Sequence, residues 1–215
     1  FRRPMWTAMD DRAQATTAPR AADDIIADDA ARSGVYAILA QLLSAIPSTD
    51  LLISVSELRA EPGTPIGDAL NDVATAARGA KGQPEALSDE FHDLFIGVGR
   101  GELLPYGSYY LTGFLHEKPL AELRETLSGL GFKADPTTSE PEDHIAAVLD
   151  VMAILTASGE TQAEAAAAFS ATHVQTWAPK FFDDLTKAEA AKFYAPIGRL
   201  GSAFLEVERQ AASMR

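Results

Sequence analysis

The sequence predicts an all-α protein, a single irregular bundle of roughly nine or ten helices. Three observations carry that expectation. Apolar residues recur at helical spacing along most of the 215-residue chain. No window alternates with the strand period, and no Asn-Gly or Asp-Gly joins β-branched runs. Hydrophobic residues make up 47% of the chain, enough for a sizeable core in one domain.

Residues 1–22 are polar and hold two prolines, so a flexible N-terminal arm is expected there, followed by a helical domain over residues 23–215. Asp23 and Asp24 suit the positive end of a first helix, whose buried stripe runs Ile25, Ile26, Val35, Ile38, Leu39, Leu42, Leu43 and Ile46. Pro47 stops it, and Ser48 or Thr49 caps a second helix carrying Leu51, Leu52, Val55 and Leu58. After the turn at Pro62-Gly63-Thr64-Pro65, a short helix with Ile66, Leu70 and Val73 runs to the loop Gly79 to Pro84. Leu87, Phe91, Leu94, Phe95 and Val98 share one helical face. The glycines and proline between Gly97 and Gly107 interrupt any helix, so that stretch reads as a long ordered loop.

Pro119 opens the next helix, with Leu120, Leu123, Leu127 and Leu130 as its stripe and Gly131 just past its end. Ser139 and Glu142 match a capping box, with Pro141 in the first turn of a helix through Ile145, Val148, Leu149, Met152 and Leu155. An Ala-rich helix follows at about 161–171, and another carries Val174, Trp177, Phe181, Phe182 and Leu185. The last, from about Ala188 through Phe193, Ile197, Leu200, Phe204 and Val207, should kink near Pro196.

Composition removes whole classes of function. Lys and Arg number 18 against 31 Asp and Glu, a formal charge of −13, which argues against general nucleic-acid binding and suits a basic partner. The chain has no cysteine, so disulfides, Cys-ligated zinc, iron–sulfur ligation and thiol nucleophiles are excluded. No apolar run approaches the roughly 18–20 residues that cross a bilayer, so no membrane insertion is expected. Paired arginines stand at Arg2-Arg3 with no apolar region behind them, and they are not read as a secretory signal. A cytoplasmic location is expected.

The densest polar group is Glu140, Glu142, Asp143 and His144. On a helix, Glu140 and His144 would lie one turn apart with Asp143 beside them. That reads as a metal site or a carboxylate–histidine acid/base pair, and equally as helix-start electrostatics around a partly buried His144. A di-iron bundle wants two Glu-x-x-His motifs, whereas Glu-x-x-x-His occurs once here; neither metal nor cofactor is expected. Gly97-Val98-Gly99-Arg100-Gly101 lacks the Gly-Lys-Ser/Thr ending of a phosphate loop. No Gly-x-Ser-x-Gly elbow surrounds Ser33, Ser108 or Ser170. His173 and Trp177, one turn apart, read as part of a core helix.

Four segments in order resemble one family. They are Tyr36 to Leu43 with Pro47; Asp93-Leu94-Phe95-Ile96-Gly97 running into Leu104-Pro105-Tyr106-Gly107-Ser108-Tyr109-Tyr110-Leu111; Glu140-Pro141-Glu142-Asp143-His144; and His173 to Trp177 with Phe193-Tyr194. The pattern is similar to the TorD/DmsD/NarJ family of redox-enzyme maturation chaperones, over about residues 33–210. The resemblance implies an all-helical fold and no covalent catalysis. It implies binding of the N-terminal twin-arginine signal peptide of a molybdenum- or tungsten-cofactor oxidoreductase, held until cofactor loading and assembly are complete. Partners would be that signal peptide and the catalytic subunit. The stretch Gly99 to Tyr106 looks most like members serving formate dehydrogenases.

The residues implied for peptide binding are Leu94, Phe95, Pro105, Tyr106, Gly107, Ser108, Asp143 and His144, with Glu140 as a further carboxylate for arginine. Some members carry Glu where Gly107 stands. Domain-swapped dimers as well as monomers, and weak guanine-nucleotide binding, are associated with the family. Two other classes stay open on the residues alone: a helical adaptor for a folded redox-enzyme subunit, and a metal-dependent hydrolase using Glu140, Asp143 and His144.

Overall fold

The computed structural model describes residues 6–7, 21–134 and 140–213. Ten α-helices dominate them, as the apolar spacing requires: α1 (Ala21–Ser44), α2 (Thr49–Ser56), α3 (Pro65–Ala80), α4 (Pro84–Phe91), α5 (Gly107–Thr112), α6 (Lys118–Gly129), α7 (Ile145–Ala157), α8 (Ala163–Phe169), α9 (Ala178–Lys187) and α10 (Tyr194–Ser213). Trp6–Thr7 (β1) pairs antiparallel with Lys133–Ala134 (β2).

The organising element is α7. It is buried on every side, through Ile145, Val148, Leu149, Val151, Met152 and Leu155, as a helix apolar all round must be. Helix α1 packs along it, and the Ser33 hydroxyl donates across to the Ala153 carbonyl (2.9 Å). Helices α9, α10 and α3 form the other side of the core, with α2 against α3. The approach of α10 to α9 depends on a missing side chain: a Cβ at Gly201 would lie 2.3 Å from the Phe182 ring.

Local chemistry sets several boundaries where the sequence placed them. The Ser48 hydroxyl caps α2 by accepting from Leu51 N–H. Helix α6 closes with Gly131 N–H on Ser128 O (3.1 Å) and Phe132 N–H on Leu127 O (2.9 Å), with Gly131 in the left-handed region (φ 79°). Other boundaries differ. Helix α3 is longer than expected and buries Ala69, Ala74, Ala77 and Ala80 besides Val73, while Ile66 and Leu70 are only partly covered. Ile46, Val98 and Val207, assigned to buried stripes, are exposed.

The Ser139 cap lies outside the described residues. The helix itself does not begin near Pro141; it starts at Ile145, because His144 takes the capping position and residues 141–143 form a turn before it. The last helix does not start near Ala188 or kink at Pro196. It begins at Tyr194, so Pro196 sits in the first turn, where a missing amide costs nothing. Residues 189–194 are instead held as a loop by two distant carboxylates. Glu102 accepts from Glu189 and Ala190 N–H (2.7 and 3.1 Å), and Glu90 accepts from Lys192, Phe193 and Tyr194 N–H (2.7, 3.1 and 2.9 Å).

The ends of the chain's helical domain meet in one partly buried cluster. Glu208 on α10 takes a forked pair of bonds from Arg32 on α1 (2.7 and 2.9 Å) and a third from the Tyr36 hydroxyl (3.1 Å). Removing one member strands the others away from water. Glu208→Ala is therefore expected to lower unfolding free energy by roughly 2–4 kcal/mol. Urea unfolding checks this as a lower midpoint with an unchanged slope.

Candidate functional site

The long loop ends by pairing with the approach to α7. Tyr106 and His144 form a single antiparallel bridge; Gly107 N–H donates to Asp143 O (2.9 Å) and Ile145 N–H to Pro105 O (2.8 Å). Asp143 adds its side chain. Its Oδ2 accepts from Ser108 N–H (2.8 Å), so a carboxylate remote in sequence serves the first turn of α5. Asp143 is only 3% exposed and Ser108 is wholly buried.

His144 caps α7 with its ring: Nδ1 accepts from Ala146 N–H (3.2 Å). The neutral ring thus carries its proton on Nε2. Burial pushes its pKa down from 6.5 to about 4, against the charges of Glu140 and Asp143, which pull the other way. Tyr106 lies edge-on to the same ring, with centroids 5.2 Å apart. Its hydroxyl donates to Glu140 Oε2 (2.6 Å) at an exposed carboxylate. Burial, then that bond and the charges of Glu140 and Asp143, raise the phenol, so it remains a donor at neutral pH. Glu142 is engaged elsewhere, accepting from Arg124 (2.9 Å); burial opposes its charge, but the arginine together with a backbone hydrogen bond holds its pKa below the usual value.

Behind this bridge is a small recess of about 20 Å³, enough for one water molecule. The loop and α5 supply Gly107, Ser108 and Leu111; α6 supplies Pro119 and Leu123; Asp143 and Val148 flank the start of α7. The rest comes from a π-helical turn, Ser170–Val174, closed by Gln175 N–H on Ser170 O (2.8 Å). The turn brings Thr172 and His173 to the recess, with Trp177 beyond. His173 Nε2 meets Thr126 Oγ1 (2.9 Å), and Trp177 Nε1 donates to His173 O (2.7 Å). Two buried oxygens of the recess, Ser108 Oγ and Asp143 Oδ1, have no hydrogen-bond partner among the described residues.

The structure thus brings together Pro105, Tyr106, Gly107, Ser108, Glu140, Asp143 and His144. Gly107 is covered: a Cβ there would lie 3.1 Å from the Trp177 indole, so a larger residue at 107 needs that ring to move. Leu94 and Phe95 sit apart from the bridge. Leu94 is fully buried in the core, and Phe95 packs on Phe91 and Tyr194 (centroids 5.1 and 5.3 Å). They lie on a second π-helical turn, His92–Ile96, and Leu94 O receives Leu103 N–H (2.8 Å), which steers the loop toward the site. Sequence reasoning missed Leu111, Leu123, Val148 and Thr172; it read His173 and Trp177 as core, and Trp177 is core, at 3% exposed, while also lining the recess with His173. The one-turn spacing of His173 and Trp177 was the available signal. Among the described residues, no group of three or more His, Asp or Glu side chains is arranged to hold a metal ion, and no helix is long and apolar enough to cross a membrane.

Comparison with known proteins agrees with the fold. The family model described as nitrate reductase delta subunit matches residues 59–183, just over half of the chain. The chain belongs to this family, the TorD/DmsD/NarJ group that its motifs resemble. Chaperone protein TorD of Vibrio cholerae (strain O395) is 36% identical over 133 residues, covering 57% of this chain and 60% of that protein. The chain thus spans about 60% of the length of that relative. TorD of Aliivibrio fischeri is 28% identical over 209 residues, 86% of this chain and 96% of that one. A crystal structure of a candidate redox enzyme maturation protein from Archaeoglobus fulgidus, 23% identical, superposes with a TM-score of 0.54 over 81% of this chain and 93% of its own.

The buried neutral His144 gives a signed pH dependence. Its folded pKa lies below the unfolded value, so the unfolded chain takes up the proton first, and stability present above pH 6.5 is lost as pH falls toward 4. The urea midpoint of the native protein should fall across that interval, and His144→Asn, which keeps a capping acceptor, should flatten the fall. A residual slope is expected from His173, whose pKa burial also lowers.

Proposed function

We propose that the protein is a cytoplasmic maturation chaperone. In this reading it binds the N-terminal twin-arginine signal peptide of a molybdenum- or tungsten-cofactor oxidoreductase and holds it until cofactor insertion is complete. The Gly99 to Tyr106 stretch points to a formate dehydrogenase client. The observation that carries the reading is the exposed Glu140 carboxylate, met by the Tyr106 hydroxyl at the edge of the motif bridge in a member of this family. A carboxylate has acceptor sites to spare, and arginine brings several donors on one planar head. The names of the Vibrio and Aliivibrio relatives support the same class.

Pro105, Tyr106, Gly107, Ser108, Glu140, Asp143 and His144 are proposed as the peptide site, with two kinds of role. Asp143 and His144 shape it, since both are buried, Asp143 Oδ2 serves the start of α5 and His144 Nδ1 the start of α7. Glu140 and Tyr106 stand at the rim. Leu94 and Phe95 contribute through the placement of the loop. The overall charge of −13 favours encounter with a basic segment.

Calorimetric titration of the full chain with a synthetic peptide bearing two adjacent arginines and an apolar stretch tests the proposal. Binding should weaken as ionic strength rises, and Glu140→Gln should cost about 1 kcal/mol, roughly fivefold in Kd. No binding at low salt would overturn it. The family description as a nitrate reductase subunit favours a second reading, an adaptor that holds a folded subunit. Capture of the full client without capture of its signal peptide alone would select that reading.

A further inference from the structure

We propose that Leu111, Phe114 and Leu115 form a docking strip for the apolar part of the bound peptide. The inference rests on the peptide-binding reading and assigns it a surface outside the motif residues. These side chains are 45%, 69% and 40% exposed. Large apolar groups clustered in water beside a polar rim mark an interaction surface.

The strip is continuous with the recess, because Leu111 also lines it. Its backbone is fixed before any partner arrives. Thr112 Oγ1 accepts from Phe114 N–H (3.2 Å) and lies within donating distance of Ser108 O (2.8 Å) and Phe114 O (3.2 Å). Gly113 ends α5 in the left-handed region, and three residues later His116 adopts φ 60°, which a side chain disfavours. A backbone already held in place leaves less to order when a partner binds.

Charge selects the occupant. Glu117 follows the strip and Glu140 meets Tyr106 just before α5; both are exposed, and neither carries an ion pair among the described residues. A second copy of this chain would bring another −13 to the same surface, whereas an apolar segment beside basic residues brings the opposite sign.

Two synthetic peptides test the strip on the full chain. One carries two arginines followed by leucine and alanine; the other keeps the arginines and replaces that stretch with serine and glycine. The native protein should prefer the apolar peptide. Phe114→Ser and Leu115→Ser should each weaken it about tenfold, leave the serine–glycine peptide unchanged, and preserve the circular dichroism spectrum and melting temperature. Equal binding of both peptides, or no loss in either variant, overturns the strip and leaves peptide recognition standing. Failure of the native protein to bind either peptide overturns both. Concentration-dependent dimers that Phe114→Ser dissolves assign the strip to a second copy and overturn the proposal.

Discussion

The site depends on one junction: the Asp143 carboxylate and backbone tie the 105–108 segment to the approach of α7. Three hydrogen bonds cross it, from Gly107 N–H, Ser108 N–H and Ile145 N–H. Helix α5 has only six residues and would not persist alone in water. Its first turn is supplied with an acceptor from elsewhere in the chain. Everything exposed nearby, from Tyr106 and Glu140 to Phe114, inherits its position from that tie.

A second set of carboxylates works at longer range. Glu90 from α4 and Glu102 from the glycine-rich loop grasp five backbone amides between 189 and 194. The loop after Ile96 is thereby anchored at both ends, to the α9–α10 connection and to α7. This explains how a segment with Gly97, Gly99 and Gly101 stays ordered without secondary structure of its own. Charged acceptors on backbone N–H groups make stronger bonds than neutral ones.

Much of the helical order was legible because it is local: the stripes of α1, α6 and α9, the Ser48 cap and the Gly131 stop all follow from nearby residues. What failed depends on distant partners. Nothing near Tyr194 announces that Glu90 will begin α10 there, and nothing in His144 announces a ring nitrogen taking the place of a hydroxyl. The π-helical turns at 92–96 and 170–174 are equally silent, because one extra residue in a turn leaves the apolar spacing nearly unchanged. The motif residues of the site were legible through resemblance. Its walls were not, since Leu123, Val148 and Trp177 converge only in the folded chain.

Helix α7, buried along nearly its whole length, begins at the site itself. A partner that settles on the rim at Tyr106 and Glu140 is one β-bridge away from the first turn of α7, around which the remaining helices are assembled. Occupancy is then thermodynamically inseparable from global cohesion: whatever holds the native form alone raises the temperature at which the whole bundle melts, in proportion to the logarithm of its concentration over Kd. A simple dye-based melting screen would therefore rank candidate partners by affinity.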